Sequence, residues 1–116
     1  MQSILEARLE TRKLAQNWRQ WVKKIAKVAR ATLGNCKVFV FGSIARGTTT
    51  GASDVDILVV SSDLPKDNKS RGEIKAKIEE AAELPLYHPF EIHLTTEAEA
   101  ESNSIYQTAI REGVPF

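Results

Sequence analysis

The chain has 116 residues, 42% of them apolar, which suits one domain with one modest core and is too few for a membrane protein. No apolar run approaches the ~20 residues of a transmembrane helix, and the charged N-terminus has no apolar stretch of the kind a signal peptide needs, so a soluble cytoplasmic protein is expected. The lone cysteine, Cys36, excludes a disulfide framework or a cysteine-rich zinc site within one chain; the net charge of +1 hides an uneven spread, because residues 1–33 hold eight Lys/Arg against two Glu and the remainder holds eight against thirteen Asp/Glu.

From Leu14 to Leu33 apolar residues recur at helical spacing, through Trp18, Trp21, Val22, Ile25, Val28 and Ala29. Arg12, Arg19, Lys23, Lys27 and Arg30 lie on the other side, and Gly34-Asn35 is a plausible stop. These cations read more simply as a solvated helix face than as a binding face. Leu5 and Leu9 fall out of phase with the stripe, which suggests a helix break near Thr11 or a second contact face at the N-terminus. Trp18 and Trp21 suit core anchors better than a base-stacking platform.

Residues 36–41, Cys-Lys-Val-Phe-Val-Phe, read as a strand ended by Gly42. Cys36 there reads as a small buried hydrophobe. Ser43 to Arg46 resemble the first turn of a short helix, and Gly47 to Ala52 a polar loop. Asp54 to Ser61 reads as a second strand, and residues 62–69, with Pro65, Asp67 and Asn68, as a loop. Ile74, Ile78, Ala81 and Ala82 predict a short amphipathic helix ending before Pro85. His88 belongs to a turn before Pro89. Phe90 to Thr95 reads as a third strand, Glu97 to Glu112 as one helix closed by Gly113, and residues 114–116 as a short edge strand.

Two features carry chemistry. In a strand, residues two apart share a face, so Asp54 and Asp56 point one way while Val55, Ile57 and Val59 point the other. Paired carboxylates repel and are costly to desolvate, and a divalent cation removes that cost. Mg²⁺ takes hard oxygen ligands from one or two carboxylates and from substrate phosphates. Gly42-Ser43 supplies the complement: a strand-to-helix turn exposes amide groups, and glycine lets a phosphate come close. Arg46 adds a positive charge that could bind a phosphate or brace the Asp strand. Each feature alone is weak; a plain turn, or an exposed Asp pair, would look the same.

Together, Val40-Phe41-Gly42-Ser43-Ile44-Ala45-Arg46-Gly47 and Ser53-Asp54-Val55-Asp56-Ile57-Leu58-Val59 resemble the signature of the nucleotidyltransferase superfamily of DNA polymerase β, in particular its minimal nucleotidyltransferases. The resemblance implies an α/β (α+β) fold. A small mixed sheet would carry helices on one face and carboxylates on the other, behind a long N-terminal helix. Residues 1–116 are then one domain, with the amphipathic helix at 1–34 and the catalytic core at 36–116. It also implies a third carboxylate on a later strand. Glu91 fits, because Phe90, Ile92 and Leu94 would face the helices and leave Glu91 and His93 beside the Asp pair. His93 could touch a phosphate or act as a base, but an ordinary strand histidine is the simpler reading.

The implied activity is transfer of a nucleoside monophosphate, AMP from ATP, to an acceptor hydroxyl. Asp54, Asp56 and Glu91 would be the catalytic and metal-binding residues, with two Mg²⁺ ions expected and Mn²⁺ an alternative. Gly42, Ser43 and Arg46 would bind the nucleotide phosphates. Minimal nucleotidyltransferases are often paired with a small helical partner of the HEPN type in toxin–antitoxin-like modules, which suggests such a partner as acceptor. The alternative is an inactive binding protein that neutralises a partner by complex formation, docking through the basic helix with Leu5 and Leu9. A homodimer through the open sheet face is compatible with the pattern, and nucleic-acid binding through residues 1–33 is the weaker reading.

Overall fold

The computed structural model describes residues 3–47 and 54–116. The expected polar loop beyond Gly47, and Ser53 of the motif, lie outside the described residues. Helix α1 (Ile4–Gln16) begins at Ser3, whose side chain accepts from the Glu6 amide at 3.1 Å, as an N-cap does. It is followed at once by α2 (Trp18–Leu33). The break falls at Asn17, not near Thr11. Asn17 leaves helical geometry (φ −103°, ψ 29°), and both its backbone N–H and its side-chain amide donate to the Lys13 carbonyl. That is the competition with the helix ladder to which Asn is prone. Thr11 stays helical because its hydroxyl is satisfied by the carbonyls of Ala7 at 2.8 Å and Tyr87 at 3.0 Å.

Helix α2 buries Val22, Ile25, Ala26, Ala29 and Leu33. It ends at Gly34, whose φ of +78° favours glycine. Its tryptophans are packing anchors: Trp18 meets Phe116 edge-on at 5.9 Å, and Trp21 lies 6.3 Å from Phe90. Arg19 and Lys24 lie over these two rings at 4.4 and 5.4 Å, and Arg30 donates to the carbonyls of Cys36 and Phe116. Part of the basic charge of this helix therefore has a structural use.

The chain continues through β1 (Lys37–Phe41), β2 (Val55–Val60), α3 (Asn68–Ala81), β3 (Phe90–Thr95), α4 (Glu97–Glu101), α5 (Ser104–Glu112) and β4 (Val114–Pro115). The sheet order is β3-β2-β1-β4. β1 is antiparallel to β2 and β4, while β2 and β3 run parallel, joined by the crossover helix α3. This is a mixed sheet behind an N-terminal helical segment, as expected, with α1 and α2 in place of one long helix. Strand alternation sorts it into two faces. Val38, Val40, Val55, Ile57, Val59, Phe90 and Ile92 form the main core with α2 and with Ile78 of α3.

The other face is only partly open. Phe39, Phe41, Leu58 and Val60 pack against Ala109 and Tyr106, so α5 covers that end of the sheet. The helix expected over 97–112 is two helices, because Asn103 caps the second by accepting from the amides of Ile105 and Tyr106 at 3.0 and 3.1 Å. Thr96 and Glu99 form a capping box on the first. Gly113 lets α5 turn directly into β4: a β-carbon there would lie 2.3 Å from the Ala109 carbonyl oxygen and 2.9 Å from that of Val40.

Candidate metal and nucleotide site

Where α5 leaves the second face uncovered, the acidic residues converge. β2 and β3 pair in parallel with Asp56 opposite Glu91 and Leu58 opposite His93. β1 and β2 pair with Phe41 opposite Asp56, which brings the turn after β1 over the same carboxylate. Gly42, at φ +82°, crosses so close that a β-carbon would lie 2.6 Å from Asp56 Oδ2. Only glycine fits that position without displacing the carboxylate.

The turn that follows is one helical turn. The Arg46 amide donates to the Gly42 carbonyl at 3.3 Å, and the Gly47 amide to that of Ile44 at 3.2 Å. Ile44 anchors it in the core, and Arg46 is exposed at its end.

Ligand atoms of Asp56, Glu91 and His93 all lie within 4.8 Å of one another. Asp56 is half-buried and Glu91 more exposed. Burial pushes the Asp56 carboxyl above its ordinary value, and the charges of Glu91 and Asp54 push the same way; the hydrogen bond and charge of His93 oppose them. Asp54 lies just before β2, exposed and outside the close trio. Of the expected ligands, then, Asp56 and Glu91 are brought together, and Asp54 lies at the rim.

The close grouping also contains His93, which strand parity had placed on this face without distinguishing it from an ordinary strand histidine. Tyr106, on α5, sets its Oη 3.4 Å from His93 Nδ1. Burial holds the Tyr106 phenol above its usual value, reinforced by Glu91. His88 is engaged elsewhere: its Nδ1 accepts from the Phe90 amide and its Nε2 lies 2.6 Å from Glu79. Cys36 is half-buried, and burial raises its thiol pKa against the opposing pull of Arg30, which fits an unreactive thiol.

Two clefts are notable, one beside the turn and one remote from the carboxylates. One, of about 390 Å³, lies between the Gly42–Arg46 turn and α5, with Phe41, Ile105 and Ala109 as its apolar lining and Ser104, Thr108 and Glu112 as its polar one. The other, about 460 Å³, lies between α1 and Tyr87 and shares no lining residue with the carboxylates.

A glycine turn over paired acidic strands in a small mixed sheet defines a nucleotidyltransferase core. The nucleotidyltransferase domain family matches residues 22–114, and the chain belongs to that family. Among solved structures, a proposed nucleotidyltransferase shares 27% identity with a TM-score of 0.53, over 70% of this chain and 84% of that one. A second, from Sulfolobus solfataricus, shares the fold with a TM-score of 0.60 at 20% identity, over all of this chain and 87% of that one. A toxin–antitoxin structure with AMP-PNP is similar at 26% identity and a TM-score of 0.52, over 80% of this chain and 69% of that one. No curated protein matches the chain.

Proposed function

We propose that this chain transfers AMP from ATP to an acceptor hydroxyl, with Asp54, Asp56 and Glu91 holding divalent metal and the Gly42–Ser43 turn and Arg46 holding the phosphates. The observation that carries this reading is the in-register pairing of Asp56 with Glu91 directly beneath the Gly42 turn. The donor set suits a hard divalent cation such as Mg²⁺, because Asp56 is penalised by burial and by its acidic neighbours, and a bound cation would relieve both penalties. When bound, Mg²⁺ would polarise the α-phosphate and make the acceptor hydroxyl easier to deprotonate.

The chain's own groups do the rest. The amides at the start of the turn and the Arg46 guanidinium would grip the β- and γ-phosphates. Glu91, the more exposed carboxylate of the pair, would take the acceptor's proton. The acceptor oxygen would then bond to the α-phosphorus as the bond to the β-phosphate bridging oxygen breaks, and pyrophosphate leaves with its charge held by the turn.

For the acceptor, the likeness to a toxin–antitoxin structure with AMP-PNP supports a small protein partner. The exposed apolar residues of α1, Ile4, Leu5 and Leu9, with Leu86 and Tyr87 nearby in the loop that Thr11 touches, favour a second reading, partner neutralisation by binding alone. ATP labelled at the α-phosphate, supplied with Mg²⁺ to the chain and a co-expressed partner, separates the two. Label on the partner supports transfer. Stable complex formation with no label on the partner favours the binding reading.

A further inference from the structure

Beside the Asp56–Glu91 pair lies an imidazole nitrogen. His93 Nε2 lies 3.5 Å from Asp56 Oδ1 and 3.8 Å from Glu91 Oε1. Ligands of one cation at metal–ligand distances of about 2.0–2.2 Å stand some 3 Å apart, so small side-chain movements would close the three around an ion. The ring is also held from behind. It packs against Phe41 at 5.4 Å and edge-on against Tyr106 at 5.9 Å, and Tyr106 Oη approaches Nδ1. One nitrogen is thus oriented by a neighbour while the other faces two carboxylates, the arrangement in which metal-bound histidines are found.

We propose that His93 Nε2 is itself a ligand of the cation, adding a nitrogen donor to the carboxylates of the centre, with Tyr106 as the positioning residue for the imidazole. The inference rests on the reading of Asp56 and Glu91 as metal ligands and adds a donor that the acidic motif does not contain. Coordination needs a lone pair on Nε2, so in the metal-bound centre the imidazole proton would lie on Nδ1 and be donated to Tyr106 Oη. A nitrogen donor shifts preference away from Mg²⁺, which favours oxygen ligands and ideal octahedral geometry, toward Mn²⁺ and later first-row ions.

The test is Mn²⁺ binding to the untagged full chain, followed by electron spin resonance. The bound ion is expected to show electron spin-echo modulation from a directly coordinated ¹⁴N. His93→Gln should abolish that modulation and weaken Mn²⁺ binding at least about tenfold. Tyr106→Phe should keep the modulation with a smaller loss of affinity. Bound Mn²⁺ without nitrogen modulation in the unmutated chain would overturn the His93 assignment and leave the carboxylate site standing. Failure of the chain to bind Mn²⁺ at all would overturn both. The measurement on the unmutated chain needs no variant to fold, and His88, the other histidine, is already engaged by Glu79 and the Phe90 amide.

Discussion

Asp56 is the residue on which folding and function pull in opposite directions. The pKa of its carboxyl is raised by burial, by Glu91 and by Asp54, against the opposing hydrogen bond and charge of His93, so the metal-free fold binds its proton more tightly than the unfolded chain does. A group with a raised folded-state pKa contributes stability at low pH that is lost as the pH climbs through that pKa. Asp56→Asn is neutral throughout and escapes the loss. The metal-free variant is therefore expected to melt above the unmutated chain at pH 7, with the gain vanishing below about pH 4, where the unfolded carboxyl is protonated too. Thermal melts across that range check it. Gly42→Ala should do the reverse at all pH values. It adds a β-carbon 2.6 Å from Asp56 Oδ2 at φ +82°, costing on the order of 1–2 kcal/mol for the left-handed backbone alone, measurable by denaturant titration. At this scale the sequence was informative. The alternation of apolar residues in β2 and in β3 assigns Asp56 and Glu91 to the non-core side of their strands, and the parallel β2–β3 register sets them opposite each other. The approach of Gly42 to Asp56 was not legible, because it depends on the β1–β2 register, which is set across the intervening loop.

Elements show where local pattern stops being sufficient. The three main strands lie within a residue or two of their expected limits, because β-branched runs bounded by turn residues have few alternatives. Helix boundaries were less legible. The α1–α2 break and the α4–α5 break both fall at an Asn, residues 17 and 103, whose side chains satisfy backbone groups that a continuous helix would also have satisfied. Apolar spacing cannot distinguish those outcomes. The second break matters for the site, since α5 carries Tyr106 to His93. Asn103→Ala removes a cap that serves two amides and is expected to cost about 1 kcal/mol of stability, read as a lower denaturation midpoint. If Tyr106 positions the imidazole, Mn²⁺ affinity should fall in the same variant.

For the whole molecule, one layer of helices secures the fold and the opposite sheet face is divided between α5 and the acidic centre. Ile25 and Ile57 are fully buried in the shared core. Ile57→Ala should cost about 2–5 kcal/mol although it neighbours Asp56 in sequence, because its side chain points to the other face. A variant of Asp56 and a variant of Ile57, adjacent in the chain, are thus expected to fail in different ways, one in transfer and one in stability. The placement of α5 on the site's own face was not legible, since strand patterning marks Phe39, Phe41 and Leu58 as apolar without saying what covers them. Among the described residues no helix is long and apolar enough to cross a membrane, and Ile4, Leu5 and Leu9 of α1 are exposed.

The most direct measurement is the rate at which labelled α-phosphate moves from ATP to acceptor in the presence of Mg²⁺ or Mn²⁺, comparing the unmutated chain with folded Asp56→Asn. Abolition of transfer by this change, with thermal stability kept or raised, is the predicted result. Transfer that continues undiminished in the variant would contradict the assignment of this carboxylate to the reaction.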